Sequence, residues 1–113
     1  MQKKNRILKN EDFIRIIKKG KIVKSENASF FYLKNSFNYP RVGITVSKKV
    51  SKLAIIRNKV KRRIRFIMMT KLNMELPIDL VIIAKNNIKN ITYKNLSCEI
   101  EKSLRRINEI WQK

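Results

Sequence analysis

Histidine is absent from this 113-residue sequence, and cysteine occurs only once, at Cys98. The absence of histidine removes the commonest general base and the commonest zinc ligand in proteins. A single cysteine cannot form an intramolecular disulfide, which is typical of proteins in a reducing cytoplasm. The most apolar run, residues 80–84, is far shorter than the roughly 20 residues that a membrane-spanning helix needs. We therefore expect a cytoplasmic protein with no membrane partner.

Acidic residues are also scarce: eight Asp and Glu stand against 28 Lys and Arg, which gives a formal net charge of +20 at pH 7. A compact domain with this charge repels itself, so the imbalance favours a polyanionic partner, with nucleic acid as the first candidate. An AT-rich genome is an alternative source of part of the lysine excess. The carboxylates are scattered, no Gly-rich phosphate loop occurs, and Cys98 has no histidine to activate it. We therefore expect no catalytic residue and no metal site in the chain itself.

The hydrophobic pattern predicts a single mixed α+β domain over residues 1–113, because two glycines and two prolines leave little material for linkers. Asn10 and Thr92 are expected to cap helices, and Gly20 is expected to end one. The predicted helices cover residues 10–19, about 54–72 and from 92 onward, and the predicted strands cover residues 28–33, 41–47 and 79–84.

This order of helix, strand, strand, helix, strand, helix predicts a two-layer α/β sandwich. The first two strands are expected to form an antiparallel hairpin. The last strand is reached through a helix, so it is expected to form a parallel pair. Residues 1–9 are rich in lysine and arginine and are expected to form a flexible basic segment ahead of the first helix.

The second predicted helix combines a core-facing side with a strongly basic side. In its segment RNKVKRRIRF, residues 57–66, Val60 and Ile64 fall on one side at about 100° per residue, and the charged residues gather on an adjoining arc. Such a run can be an ordinary solvated face. A solvated face usually mixes charge signs, however, and no acidic residue lies between Lys48 and Met74. Clustered Lys and Arg of this kind neutralise phosphates.

The aromatic side chains leave two interpretations open. They could stack on unpaired bases, or they could pack in the core, which is the more common outcome for any one of them. Strand alternation puts Phe30 and Tyr32 on one face of their strand and Phe31 on the other. One of these faces must belong to the core, and the pattern alone does not decide which.

Taken together, these segments resemble the bacterial ribonuclease P protein component, the basic partner of a catalytic RNA that removes the 5′ leader from precursor tRNA. The resemblance covers nearly the whole chain. Its family signature reads Arg-Asn-Arg, one residue, Lys-Arg, two residues, Arg, and this chain departs from it only at Lys59, which lacks the bidentate fork of arginine. The motifs that carry the resemblance are, in order, Asp12-Phe13, Lys18-Lys19-Gly20 and residues 41–49, 57–65 and 79–85.

The resemblance implies an α-β-β-β-α-β-α-like sandwich with a left-handed strand–helix–strand crossover, like domain 2 of ribosomal protein S5. It implies an endoribonuclease holoenzyme in which the RNA subunit, with Mg²⁺ bound mainly by RNA and substrate, performs the hydrolysis. The implied partners are ribonuclease P RNA and precursor tRNA, with no obligate protein partner. A ribosomal or RNA-chaperone protein, which binds structured RNA without a role in cleavage, is the alternative.

The resemblance also implies roles for individual residues. Ile17 stands where the family often has a second aromatic, so apolar contact rather than stacking is expected there. The residues implied to contact the RNA subunit and nearby phosphates are Arg57, Asn58, Lys59, Lys61, Arg62 and Arg65. The residues implied to line a leader-binding cleft are Phe13, Ile17, Phe30, Tyr32, Thr45 and Ser47, with Lys48 and Lys49 near its rim.

Overall fold

The structure, a computed structural model, describes residues 2–111. Within this range three α-helices accompany a four-stranded sheet, and short 3₁₀ turns occur at Lys3–Asn5 and Asn86–Asn90. The helices are α1 (Asn10–Lys19), α2 (Ala54–Lys71) and α3 (Tyr93–Trp111), and the strands are β1 (Lys21–Lys24), β2 (Ala28–Lys34), β3 (Arg41–Thr45) and β4 (Ile78–Ala84). The mixed α+β class and every predicted element are confirmed. The short strand β1 is an addition that the hydrophobic pattern does not predict.

The strands lie in the order β1-β2-β4-β3 across the sheet. The predicted parallel pair is present, between β3 and β4. The predicted hairpin between β2 and β3 is wrong, because β2 pairs antiparallel with β1 on one side and with β4 on the other. The reason lies in β4, whose side chains are all buried except the half-buried Ile83. A strand this apolar on both faces occupies the interior of a sheet, where it separates β2 from β3.

The two faces of the sheet carry different helices. The main core lies between the sheet and the helices α2 and α3, and Phe30 and Tyr32 of β2 belong to it. This layer of two helices on a sheet is the predicted sandwich. On the opposite face, Ile16 of α1 packs with Ile7 and Val81 in a second, smaller cluster. The single helix α1 covers only part of that face.

The predicted end of α1 at Gly20 is confirmed, and the reason is space. The φ of Gly20 is −75°, so no left-handed conformation requires glycine there. A Cβ at this position would lie 2.5 Å from the carbonyl oxygen of Ile16 and 2.8 Å from that of Tyr32. The absence of a side chain therefore lets the end of α1 approach the backbone of β2 closely.

The two predicted helix caps have different outcomes. The Thr92 hydroxyl accepts a hydrogen bond from the backbone N–H of Asn95 at 3.2 Å, so the cap of α3 is confirmed. The predicted Asn10 cap is wrong, because Asn10 is itself the first helical residue and Lys9 precedes it without a side-chain cap bond. Acidic residues in the first turn of α1 still complement the positive end of the helix.

The segment before α1 packs along the outer edge of β3. The backbone N–H of Ile7 donates to the carbonyl oxygen of Val42 at 3.0 Å, and Arg6 forms a parallel bridge with the same residue. The buried Asn5 side chain donates to the carbonyl oxygen of Pro40 at 2.7 Å. The expectation of a flexible N-terminal segment therefore does not hold for these three residues. They cover a strand edge that would otherwise be unpaired.

A buried carboxylate joins the sheet to α1. The Asp79 side chain, at the start of β4, is 1% exposed. Arg41 lies opposite it on β3 and donates from Nε to Oδ1 at 2.9 Å and from Nη2 to Oδ2 at 2.7 Å. Asn35 also donates to Oδ1, and Arg15 of α1 donates to Oδ2. Burial alone would raise the pKa of Asp79, but these donors and the positive charge of Arg41 together hold that pKa below its ordinary value.

Replacing Asp79 with Asn is expected to lower the free energy of unfolding at pH 7 by about 3 kcal/mol, because the half-buried Arg41 and its neighbour Arg15 lose the buried carboxylate that both contact. The folded-state pKa of Asp79 lies below the unfolded value of about 3.9. The stabilisation is therefore complete above that pH and is lost as the pH falls through the folded-state pKa. Urea unfolding between pH 7 and pH 2 measures both effects.

Glu109→Gln removes a carboxylate that is exposed on α3 and provides the matched control for net charge. The difference in the free energy of unfolding between Asp79→Asn and wild type should shrink toward low pH. The free energy of unfolding of Glu109→Gln should stay close to that of wild type at every pH. Equal stability of the two variants at pH 7 would contradict the role assigned to Asp79.

Candidate nucleic-acid interface

The helix α2 carries its charged side chains away from the core. Val60, Ile64 and Ile67 are buried, which confirms the predicted core side. We call the remaining polar surface the basic face, and it consists of Arg57, Asn58, Lys59, Lys61, Arg62, Arg63 and Arg65. Within residues 2–111, none of these cations forms an ion pair. A helix face with this much unpaired positive charge attracts polyanions.

One member of the basic face also has a structural role. Nη1 of Arg57 donates to the backbone carbonyl oxygens of Ser51 and Lys52, at 2.9 Å in each case. These bonds hold the loop that leads into α2. Lys59 and Arg62, by contrast, are exposed, and neither forms a hydrogen bond within the described part of the chain. They are therefore the members whose replacement would remove charge with the least effect on the fold.

The basic face continues past α2 onto the N-terminal segment. Partial burial lowers the pKa of Arg65 below the ordinary arginine value, and the charge of Arg6 lowers it further. Arginine side chains are permanent cations in proteins, so two positive charges repel each other here. A phosphate between them would relieve this repulsion. Sequence reasoning missed Arg6, because its distance from Arg65 along the chain leaves no local signal.

The sheet face that carries α1 is crossed by two rows of side chains, which the strand register defines. The first row is Ile22, Phe31, Val81 and Gly43, and the second is Lys24, Ser29, Ile83 and Thr45. Val81 and Gly43 are buried, whereas no member of the second row is. We call the accessible part of both rows the open face, and it consists of Ile22, Lys24, Ser29, Phe31, Ile83 and Thr45.

Phe13 of α1 forms the boundary of the open face. A Cβ added to Gly43 would lie 2.5 Å from two carbon atoms of the Phe13 ring. The ring therefore lies directly on the backbone of β3, and glycine at this position makes the contact possible. Phe13 packs in the smaller apolar cluster together with Phe31 and Ile83. The predicted location of Phe13 beside an accessible surface is thus consistent with the structure.

The predicted placement of Phe30 and Tyr32 in a cleft is wrong. Phe30 is 0% exposed and Tyr32 is 3% exposed, because both lie in the main core against α2 and α3. Phe31 on the other face of β2 is half-buried and is the aromatic that the open face offers. A signal for this choice is present in the sequence: Ser29 shares the face of Phe31, and the polar residue belongs on the less buried face.

The remaining predicted cleft residues are accessible. Thr45 lies in the second row of the open face, and Ser47, Lys48 and Lys49 follow it and are exposed. Ile17, one turn after Phe13 on α1, is 37% exposed. The Ser47 hydroxyl accepts a hydrogen bond from the backbone N–H of Lys49 at 3.3 Å, which shapes the turn after β3. Contact of these residues with a leader stays a prediction.

The side-chain donors offer binding chemistry. Among residues 2–111, no group of three or more His, Cys, Asp or Glu side chains is placed to hold a metal ion. Glu99 accepts hydrogen bonds from Ser25 and Asn27 at 2.6–2.8 Å, so this carboxylate is already engaged. None of the described helices is long and apolar enough to cross a bilayer. The basic face and the open face present positive charge, hydroxyl groups and aromatic rings to a ligand.

A family model described as ribonuclease P matches residues 1–108 of the chain. The chain belongs to the ribonuclease P protein family. It is 35% identical over 107 residues to the ribonuclease P protein component of Alkaliphilus oremlandii. The aligned region covers 94% of this chain and 93% of that protein. It is 33% identical over 96 residues to the ribonuclease P protein component of Streptococcus agalactiae, which covers 85% of this chain and 87% of that protein.

Solved structures of ribonuclease P proteins share the fold. The protein from Staphylococcus aureus superposes with a TM-score of 0.84 at 35% identity, over 91% of this chain and 94% of that one. The protein from Thermotoga maritima superposes with a TM-score of 0.81 at 27% identity, over 89% of this chain and 96% of that one. The resemblance inferred from the sequence is confirmed, and the chain is the protein component of ribonuclease P, a partner of ribonuclease P RNA.

The two faces of β2 should respond differently to truncation in this ribonuclease P protein. Phe30→Ala is expected to lower the free energy of unfolding by about 3–5 kcal/mol, because the whole ring is buried. Phe31→Ala is expected to cost about 1–2 kcal/mol, because part of its ring is already exposed. Urea unfolding measures both values. A larger loss for Phe31→Ala than for Phe30→Ala would contradict the assignment of the faces.

Proposed function

We propose that this ribonuclease P protein binds the catalytic RNA through the basic face and the 5′ leader of precursor tRNA through the open face. It thereby promotes endonucleolytic removal of the leader and formation of the mature 5′ end. The single observation that carries the proposal is the basic face of α2, whose cations form no ion pair within residues 2–111. A phosphate backbone supplies the missing negative charge along the whole face, and its binding releases counterions.

The open face has the chemistry that a single strand requires. Unpaired nucleotides are held by aromatic stacking together with polar contacts to the backbone. Phe31 supplies the stacking surface, Thr45 and Ser29 supply hydroxyl groups, and Lys24 supplies positive charge at one end of the row. The wider leader site also includes Phe13, Ile17, Ser47, Lys48 and Lys49.

The hydrolysis itself is assigned to the RNA subunit, with Mg²⁺ held mainly by RNA and substrate. The donor set of the chain supports this assignment, because its described carboxylates do not converge on a metal-binding group and the sequence has no histidine. The contribution of the protein is electrostatic. Each Lys or Arg that neutralises a phosphate reduces the repulsion that Mg²⁺ would otherwise have to offset. We place this work in the cytoplasm, without a further protein partner.

Cleavage of a precursor tRNA by the cognate RNA subunit, over a range of Mg²⁺ concentrations, tests the proposal. We expect the protein to stimulate cleavage strongly at low Mg²⁺ and weakly at high Mg²⁺, because the two sources of positive charge substitute for each other. Absence of stimulation at every Mg²⁺ concentration would refute the proposal. Tight binding to ribosomal RNA in that case would favour the RNA-chaperone alternative.

Lys59→Ala and Arg62→Ala are each expected to reduce the salt dependence of binding to the RNA subunit. Removing one phosphate contact lowers the magnitude of the slope of log K against log salt by about 0.7–0.9. Filter binding between about 50 and 200 mM salt measures the slope. Lys102→Ala removes an exposed lysine on α3 and is the charge-matched control. An equal change in all three slopes would mean that binding responds only to net charge.

Phe31→Ala is expected to weaken binding of leader-bearing precursor tRNA to the holoenzyme about tenfold, because a stacked base contributes about 1–3 kcal/mol. Binding of mature tRNA, which lacks the leader, should not change. Leu33→Ala provides the control, because Leu33 is half-buried on the same face of β2 but lies beside Asp79, away from the second row. Equal losses for precursor and mature tRNA would contradict a leader contact.

A further inference from the structure

Two aromatic rings lie together on the outer surface of the helices α2 and α3. Phe66 is 56% exposed and Tyr93 is 40% exposed. Their ring centroids are 6.3 Å apart and their planes are inclined by 51°. Neither ring belongs to either apolar cluster of the described residues. We call this pair the aromatic platform.

The platform lies within the basic face. At about 100° per residue, Phe66 lies about 160° from the buried Ile64 around α2, so it faces away from the core. Arg62 and Arg63 precede Phe66 by one helical turn on the same side, and Lys59 precedes it by two. The exposed ring is thus bordered by cations, none of which has an ion-pair partner within residues 2–111.

Packing within the protein does not account for this arrangement. A large apolar ring gains stability when it leaves water, and more than half of the Phe66 side chain remains in it. The Tyr93 hydroxyl has no hydrogen-bond partner within the described part of the chain, so no polar contact fixes that ring. A single exposed aromatic is common on protein surfaces. A pair of exposed aromatic rings in a cationic face can stack on a flat base and attract a negative phosphate. An unpaired nucleotide has both of these groups.

We propose that the aromatic platform stacks on an unpaired base of the ribonuclease P RNA while the neighbouring cations of the basic face hold the adjoining phosphates. The proposal rests on the proposed function and deepens it, because it specifies a single-stranded or bulged element at this point of the RNA. Bases in a regular duplex are stacked on one another, and their faces are not available to side chains. A platform of this kind therefore selects RNA structure, whereas the surrounding charge responds to any phosphate backbone.

The test measures binding of the RNA subunit as a function of salt. Phe66→Ala removes a ring and no charge, so the plot of log K against log salt should keep its slope and move to weaker binding by about 5- to 150-fold. Phe66→Trp should bind about as tightly as wild type, because the ring that stacks is kept. Phe66→Leu should lose affinity like Phe66→Ala, because it keeps apolar area without a ring.

The chain offers a matched control on the same helix. Ile55 is 74% exposed, and it lies within about 20° of Phe66 around the α2 axis, three turns earlier. Ile55→Ala should change affinity less than about twofold, because an aliphatic side chain provides no stacking face. Melting curves of all variants should match wild type, because both side chains are largely exposed. Tyr93→Ala should weaken binding in the same salt-independent way as Phe66→Ala.

Several outcomes would overturn the proposal. Unchanged affinity of Phe66→Ala, a loss that Phe66→Leu restores, or a loss that Ile55→Ala reproduces would each exclude stacking at this position. A loss confined to precursor tRNA would assign the platform to the substrate and refute its assignment to the RNA subunit. These results differ from failure of the proposed function, in which wild-type protein itself would not stimulate cleavage at low Mg²⁺.

Discussion

The arrangement of the whole molecule depends on the ion pair between the buried Asp79 and the half-buried Arg41. An ionised carboxylate that is removed from water is costly unless charged donors surround it. The carboxylate of Asp79 receives two short hydrogen bonds from Arg41, at 2.9 and 2.7 Å. These two hydrogen bonds form only in the strand register that places Arg41 opposite Asp79. A shift of β3 by one residue would take Arg41 away from the carboxylate and turn the apolar side chains of β3 to the wrong face.

The same carboxylate determines how much of the sheet stays accessible. Arg15 reaches Asp79 from the middle of α1, which holds this part of the helix near the end of the sheet where β4 begins. Phe13 then rests on Gly43, one row further along the strands. The row beyond it, which ends at Thr45, has no helix above it that buries its members. The contact that secures α1 is therefore also the reason that the open face exists.

Elements whose evidence is local could be predicted from the sequence. The apolar run of β4 after Asp79 and the long apolar stripes of α2 and α3 each lie within one short stretch of sequence, so burial of their side chains selects one local structure. The pairing of β2 was predicted wrongly, because the choice between β1 and β3 depends on where β4 lies. The strand β1 has only Val23 buried, so its pattern is too short to predict. The face of the sheet that carries the open face is also set by residues far apart in the sequence. Whether Phe30 or Phe31 is accessible depends on which face α2 and α3 cover, and only the weak polarity of Ser29 indicates it.

The charge distribution separates affinity from selectivity. The acidic residues Asp79 and Glu99 have partners outside α2, and Glu101 pairs with Lys71 at the C-terminal end of α2. None of these three therefore compensates the positive charge of the basic face. Phosphates are common to every RNA, however, and contacts to them fix position and carry little information about structure. An aromatic ring distinguishes an unpaired base from a paired one, because only the unpaired base presents a free face. Phe31 on the open face and Phe66 on the basic face provide such rings on two separate surfaces. The basic side chains would thus supply most of the attraction, and these two rings would determine which elements of the RNA can occupy each surface.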